Sequence, residues 1–372
     1  MAAQTAEYDA IIVGARVTGS LLATLLGEGG HRILLLDRAK FPSDTLSTHF
    51  FRAPALRAFQ AAGVLDQVLA VAPHLTVNYN AIDGIVFPEP LDGPEDFPFY
   101  LCVRRITLDE ILVRRAKTFP SVEMKEGAVA QELLRENGRV SGVVWKDDDG
   151  QHRATGRVVV GADGLHSFVA KEVGAKAERE EPINRAMYYA YYKDLPPNEG
   201  PAAEFHFNGN YLVYVFPCDG NLTLVAATVP IADFAEFKRD PEAHLEKELQ
   251  KMVALKDRLK KAARDGPVRG TGSIPGRLRI PYGDGWALAG DAGMVIDPWS
   301  GQGIDQGSTG ATYLARELDE YLAGRKEWGE AMQSYHKERN AFSLKTYENT
   351  CKYSRDLRPM TRAALARRGL LT

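Results

Sequence analysis

From Tyr8 the chain alternates between two hydrophobic periods. Asp9 to Val13 reads D-A-I-I-V, a nearly unbroken apolar run, and after a glycine-bearing turn S-L-L-A-T-L-L-G-E follows with apolar residues at helical spacing. Gly27, Gly29 and Gly30 end that helix, and His31 to Asp37 (H-R-I-L-L-L-D) is a second strand without polar alternation. A strand apolar on both faces is covered on both, so the two strands are predicted to be parallel neighbours joined by a right-handed crossover. Glu132 to Leu134, Val140 to Trp145 and Arg157 to Val160 are short strand candidates separated by Asn137-Gly138 and Asp149-Gly150, which predicts an antiparallel meander leading back to the first sheet. Met187 to Tyr192, Glu204 to Phe207, Tyr211 to Phe216 and Leu222 to Val229 predict a second, mainly antiparallel sheet. Asp240 to Arg264 reads as one charged amphipathic helix, with further helices at Thr309 to Tyr321 and Glu330 to Tyr347. The fold class is therefore α/β, with a parallel core and an interleaved antiparallel sheet, and no internal repeat or long linker separates the parts.

Composition narrows the classes of function. A length of 372 residues is two to three domain-equivalents at roughly 150 residues each. With 45% hydrophobic and 26% charged residues the chain can bury a sizeable core. Lys+Arg total 46 against 49 Asp+Glu, a net charge of −3, so no global positive field recommends nucleic acid as a partner. The three cysteines, Cys102, Cys218 and Cys351, are far apart in sequence and form no zinc or redox-dithiol motif, so no metal site is expected and a reducing interior fits. Met1 to Tyr8 is polar, without the parts of a signal peptide, and no apolar run approaches the ~20 residues of a membrane span. The expected location is the cytoplasm. Oligomeric state stays open.

The turn after the first strand, Gly14-Ala15-Arg16-Val17-Thr18-Gly19, matches the first and third glycines of a dinucleotide fingerprint and carries Arg16 where the second belongs. Asp37, with Arg38 beside it, ends the second strand 18 positions beyond Gly19. An acid there can accept bonds from ribose hydroxyls while helix-start amides hold a pyrophosphate. The second glycine normally lets the pyrophosphate approach without meeting a Cβ, so Arg16 must point aside or cap the phosphate. An ordinary strand-turn-helix without a ligand is the plainer reading of this segment alone.

Two later motifs bear on that choice. Arg157 to Ser167 reads R-V-V-V-G-A-D-G-L-H-S, a buried strand delivering Asp163, and Trp286 to Pro298 reads W-A-L-A-G-D-A-G-M-V-I-D-P, delivering Gly290-Asp291 and then Pro298. In these three ordered motifs the chain resembles the FAD-dependent aromatic hydroxylase superfamily typified by p-hydroxybenzoate hydroxylase, whose relatives include flavin halogenases and geranylgeranyl-type reductases. The resemblance spans about residues 8 to 320. It implies a Rossmann-like FAD-binding domain made of 1–75, 101–175 and 268–330, a substrate-binding β-sheet domain made of 76–100 and 176–267, and a C-terminal helical segment, 331–372. It implies FAD as cofactor, Asp291 at the ribityl chain, and Gly301-Gln302-Gly303-Ile304 with backbone N–H groups near the flavin pyrimidine. Arg52, in F-F-R-A-P-A-L, and Arg105, in R-R-I-T-L-D-E-I-L, match arginines that reach the flavin or its diphosphate, and Val129 matches a residue bordering adenine. Either arginine taken singly is equally well a helix cap or a surface ion pair.

On the substrate side, alternate residues of a strand share a face, so Tyr189 with Tyr191, and Tyr214 with Phe216, can line a wall over the flavin, joined by Phe207 and Trp299. The plainer reading is a sheet core. His49, in L-S-T-H-F-F-R, is the only ionisable group of suitable pKa in its loop, and is either a proton-handling residue or a structural one. From Ala58 to Val103 there is no Lys or Arg, and Tyr211-Leu212-Val213-Tyr214-Val215-Phe216-Pro217 stands where halogenase relatives carry W-x-W-x-I-P, so both halogenase marks are missing.

The resemblance implies an NAD(P)H-dependent flavin monooxygenase that hydroxylates or epoxidises an apolar or aromatic small molecule with O2, through a hydroperoxide at flavin C4a. A cofactor that carries the hard chemistry explains the lack of a conspicuous catalytic residue. The alternatives are an FAD-dependent reductase or dehydrogenase of a prenyl or polyene chain, which Asp297-Pro298-Trp299 and the following G-Q-G resemble equally, and a flavin-binding protein without catalysis.

Overall fold

A computed structural model of the chain describes residues 7–91, 93–198 and 200–371. Met1 to Ala6, on which much of the leader expectation rests, and Asp92, in the stretch without Lys or Arg, lie outside the described residues.

The largest sheet has a parallel core in the order Trp286–Leu288, Gly150–Gly161, Tyr8–Val13, Ile33–Asp37, Val122–Glu126, with Tyr282–Gly283 antiparallel at one edge. The Gly150–Gly161 strand belongs to two pairings. Its first half runs antiparallel to Arg139–Asp147, and its second half runs parallel to Tyr8–Val13. Thus the meander returns to the first sheet within one strand. Ile12, Leu35 and Val160 pack on one face beneath the helices Val17–Glu28, Arg105–Ala116 and Gly303–Leu322. Ile11, Leu34 and Val159 pack on the other against Leu133, Val143 and Trp145. That double cover is why these strands show no polar alternation.

The second sheet has seven strands in the order Ala263–Thr271, Arg185–Lys193, Leu222–Pro230, Tyr211–Cys218, Ala202–Asn208, Val77–Ile82, Ile85–Pro90. It is antiparallel except between Ala202–Asn208 and Val77–Ile82. Tyr188 and Tyr192 pack with Phe237, Leu245 and Leu249 on its helix-covered face, while Met187, Tyr189, Tyr214 and Phe216 gather on the face that also meets Phe50.

Three features differ from the sequence reading. Residues 240–264 are not one helix. Asp240 caps Pro241–Gln250 by accepting the Ala243 amide at 3.0 Å, a short turn follows at Lys256–Leu259, and Ala263–Thr271 is an edge strand paired with Arg185–Lys193. The charge pattern suits a helix, but the open edge of the sheet recruits its last residues. The two later helices are longer, Gly303–Leu322 and Trp328–Ser354, and a further helix, Arg358–Ala366, follows. A small third sheet, Ala177–Glu181 with Gly276–Arg279 and Met294–Val295, was not visible as alternation.

Candidate functional site

Strand register brings the motif ends to one edge. Val13 pairs with Gly161 and with Leu36, and Gly161 pairs with Leu288, so the turns at Gly14, Ala162 and Ala289 leave the parallel sheet side by side at its carboxyl end. They also touch. Gly14 has φ +101°, and a Cβ there would stand 2.4 Å from the Ala162 carbonyl oxygen. Gly290 has φ +59°, and a Cβ there would stand 2.5 Å from the Thr18 hydroxyl, which would also meet one at Gly307 at 2.8 Å.

Helix Val17–Glu28 starts behind Arg16 with no side-chain cap and no acid in its first turn, and Gly303–Leu322 starts behind Gln302 likewise without a side-chain cap. Uncapped starts leave amides for an anion or a polar ring edge. Arg16 points aside: it donates to Asp109 at 2.7 Å and to the Ser43 and Asp44 carbonyls at 3.1 Å each. Asp109, fully buried, also accepts from Arg105 Nε at 2.9 Å. Asp37 accepts the Ala15 and Ala39 amides at 2.7 Å each, one on either oxygen, which leaves a lone pair on each for a hydroxyl. Arg38 is exposed. Val129 is 49% exposed, and its neighbour Ala128 donates to the Asp37 carbonyl at 2.8 Å.

Asp291 is exposed, in the turn after Ala289, and desolvation by the protein packed around it raises its pKa to about 6 against the opposing charge of Arg105. Asp163 is engaged internally. It accepts from the Ser167 hydroxyl and from the Val169 amide at 3.1 Å, bracing the start of Phe168–Glu172. Abutting turns, two uncapped helix starts, an acid with spare lone pairs and the exposed Asp291 carboxyl make a donor and acceptor set that fits an elongated dinucleotide.

Beside the turn at Pro298 lies a cavity of about 290 Å³. Of the expected residues it is lined by Arg52, Phe207, Trp299 and Gln302, to which the structure adds Phe205, Leu212, Ser300, Thr346, Asn349 and Thr350. Gly301 has φ +63°, which reverses the chain here against Phe50. Arg52 is held by Asp305, with its amide at 2.8 Å and Nη1 at 3.0 Å, and lies 4.9 Å from the Phe50 ring centre. Tyr214 and Phe216 sit behind the lining, where the Tyr214 hydroxyl donates to the Trp299 carbonyl and Phe216 stacks on Phe50 at 4.5 Å. The contribution of helix Trp328–Ser354 was missed. Residues 346, 349 and 350 have the spacing of one helix face, but nothing local says where that face docks.

Tyr189 and Tyr191 form a different group, around His49. The Tyr191 hydroxyl bonds His49 Nε2 at 2.6 Å, the rings stack at 5.8 Å, and Tyr189 meets His49 edge-on at 5.7 Å. Burial, with Arg105, Arg104 and Arg269 nearby, lowers the His49 pKa to about 3, so the imidazole is neutral across the physiological range. Among the described residues no three His, Cys, Asp or Glu are grouped to hold a metal ion, and no helix is long and apolar enough to cross a membrane.

Comparison with known proteins gives three results. The profile of a family described as "FAD binding domain" matches residues 7–350. Among curated proteins, the chain is 26% identical over 371 aligned positions to digeranylgeranylglycerophospholipid reductase 2 of Methanopyrus kandleri, covering 91% of this chain and 87% of that protein. It is also 24% identical over 309 positions to 1H-pyrrole-2-carbonyl-[peptidyl-carrier protein] brominase of Pseudoalteromonas luteoviolacea, covering 80% of this chain and 74% of the relative. Among solved structures, pqsL, a probable FAD-dependent monooxygenase from Pseudomonas aeruginosa, superposes with a TM-score of 0.82 at 21% identity, covering 93% of this chain and 95% of the other.

Proposed function

Since this chain belongs to the FAD-binding domain family, we propose that it is an FAD-dependent monooxygenase, reduced by NAD(P)H, that hydroxylates or epoxidises an apolar or aromatic small molecule with O2. Amides of the Gly14, Ala15, Arg16, Val17, Thr18, Gly19 turn, with Arg105, would hold the diphosphate, and Asp37 and Val129 the adenosine end. Asp291, beside Gly290, would hold the ribityl chain, and the turn from Pro298 through Gly301, Gln302, Gly303 and Ile304 the flavin pyrimidine. When bound, FAD supplies the redox chemistry and the activation of oxygen. The chain's residues bind, orient and exclude water. Amides of the 301–304 turn are fixed donors that need no reorganisation when negative charge develops beside them. His49, neutral and bonded to Tyr191, fixes that hydroxyl and does not act as an acid near neutrality. Asp163 braces its own turn, and Arg38 adds positive charge at the adenosine end.

The observation that carries the monooxygenase reading is the cavity of about 290 Å³ beside Trp299, Ser300 and Gln302, lined by the aromatic rings of Phe205, Phe207 and Trp299 together with polar side chains. A prenyl or polyene chain offers no polar group to Gln302, Thr346 or Asn349, and would leave any of them that it covers unsatisfied. A halogenase reading lacks the lysine and the tryptophan segment noted above. A cytoplasmic setting, where the thiols of Cys102, Cys218 and Cys351 stay reduced, completes the proposal. Oxygen uptake by the flavin-loaded chain with NADH or NADPH and simple aromatic compounds tests it. Substrate-stimulated uptake with an oxygenated product is expected, and flavin reduction without either overturns the reading.

A further inference from the structure

The cavity's charge and its third wall say what kind of substrate it takes. Arg52 is the one charged side chain in the lining, and it is already matched: Asp305, 3% exposed at its side chain, accepts from Nη1 at 3.0 Å and from the Arg52 amide at 2.8 Å, while Nη2 donates to the Ser300 carbonyl at 3.3 Å. An ionised ligand, of either sign, would therefore enter a cavity of mixed aromatic and uncharged polar lining whose one charge is already paired. Burying such a charge is far costlier than burying a neutral polar group that finds a partner.

Partners are present. Among the described residues, the side chains of Gln302 and Thr346, half-buried, and of Asn349, exposed at the cavity's rim, line the cavity and bond no other protein group. The helix that carries two of them is held in place from both sides. Trp299 Nε1 donates to the Thr350 carbonyl at 2.9 Å, Arg185 Nη1 reaches the Ser354 carbonyl at 3.5 Å, and Asn184 Nδ2 donates to the Ser354 hydroxyl at 3.0 Å. A wall anchored to the 298–300 turn and to the second sheet is rigid enough to discriminate. Phe205, Phe207 and Trp299 offer apolar and aromatic surface for a ring, and about 290 Å³ is at the lower edge of the roughly 300–1,000 Å³ of small-molecule clefts, room for one or two fused rings.

We propose that the substrate is a small aromatic compound bearing an uncharged hydrogen-bonding substituent, of the carboxamide, ketone or phenol type, and that Asn349 on the long C-terminal helix is its specificity-determining residue. This rests on the flavin reading only for which bond is oxidised. Gln302 belongs both to the cavity and to the turn that would hold the flavin, whereas recognition by Asn349 and Thr346 depends on the cavity alone.

Calorimetric titration of the full chain, with flavin content first measured by visible absorbance, compares benzamide, benzoate and benzylamine. Benzamide binds at least tenfold more tightly than either ion. Asn349→Leu weakens benzamide at least fivefold, leaves benzoate unchanged and leaves flavin content at the wild-type level; Thr346→Val, which keeps the shape and removes one hydroxyl, weakens benzamide to a smaller extent. Benzoate or benzylamine binding as tightly as benzamide, or a benzamide Kd unmoved by Asn349→Leu, overturns the inference. A chain that takes up no FAD overturns the flavin reading instead, and the same ligand series on that chain still judges the cavity.

Discussion

At the scale of single residues, Arg16 stands where the backbone would come closest to a bound diphosphate. Arg16 had two possible directions. Its bonds to Asp109 and to the 43–44 carbonyls turn it from the helix start, so its presence does not occupy the phosphate position. Asp291, by contrast, is exposed and without a side-chain partner among the described residues. We expect Arg16→Gly to keep its FAD while losing about 1–3 kcal/mol of stability through the half-stripped Asp109, and Asp291→Ala to fold but lose most of its FAD. Flavin absorbance per chain and urea midpoints check both, and equal flavin content in Asp291→Ala and wild type would count against the ribityl placement. His49 carries a pH prediction. Its native pKa of about 3 lies below the ordinary 6.5, so the unfolded chain binds the proton that the native chain refuses, and stability is lost as pH falls through 6.5. His49→Asn, which tolerates the φ of +59° better than most residues, removes that titration. Between pH 7 and pH 5 the variant should lose about 2 kcal/mol less stability than wild type; identical slopes of urea midpoint against pH would show that His49 does not titrate this way.

At the scale of elements, hydrophobic period identified the parallel strands because they are covered twice, and turn dipeptides at Asn137-Gly138 and Asp149-Gly150 identified the meander. It failed at Ala263–Thr271, where an exposed edge strand with mixed charge has no apolar alternation and exists because Arg185–Lys193 offers it hydrogen bonds. Helix Trp328–Ser354 was legible as a helix and illegible as a cavity wall. Its docking depends on Arg185, 1% exposed, which donates to Asn210, Thr228 and the Ser354 carbonyl. Arg185→Met removes a buried donor to Thr228, to the Asn210 carbonyl and to the Ser354 carbonyl, while Asn210 Oδ1 keeps the Leu357 amide at 2.9 Å, and a loss of about 2–4 kcal/mol is expected. Hydrogen exchange should rise first around residues 350–357; protection there equal to wild type would contradict the latch.

At the scale of the whole molecule, a ligand that spans the Gly14, Ala162 and Ala289 turns should stabilise the chain as a unit. FAD at about 100 times its Kd adds roughly 2.7 kcal/mol. FMN, which keeps one phosphate for the amides behind Arg16 but lacks the adenosine monophosphate half that would reach Asp37 and Val129, should raise the thermal midpoint less. Equal shifts with the two flavins would mean that the turns do not act together. The sequence alone determined the α/β class, the parallel core and the three ordered motifs, because burial on both faces and positive-φ glycines such as Gly14 leave marks at their own positions. Only the tertiary structure decided that Arg16 turns aside, that Tyr189 and Tyr191 surround His49 while Phe207 and Trp299 face the cavity, and that Asn349 lines it. Alternation says which residues share a face. What that face meets depends on elements far along the chain, and no local pattern records it.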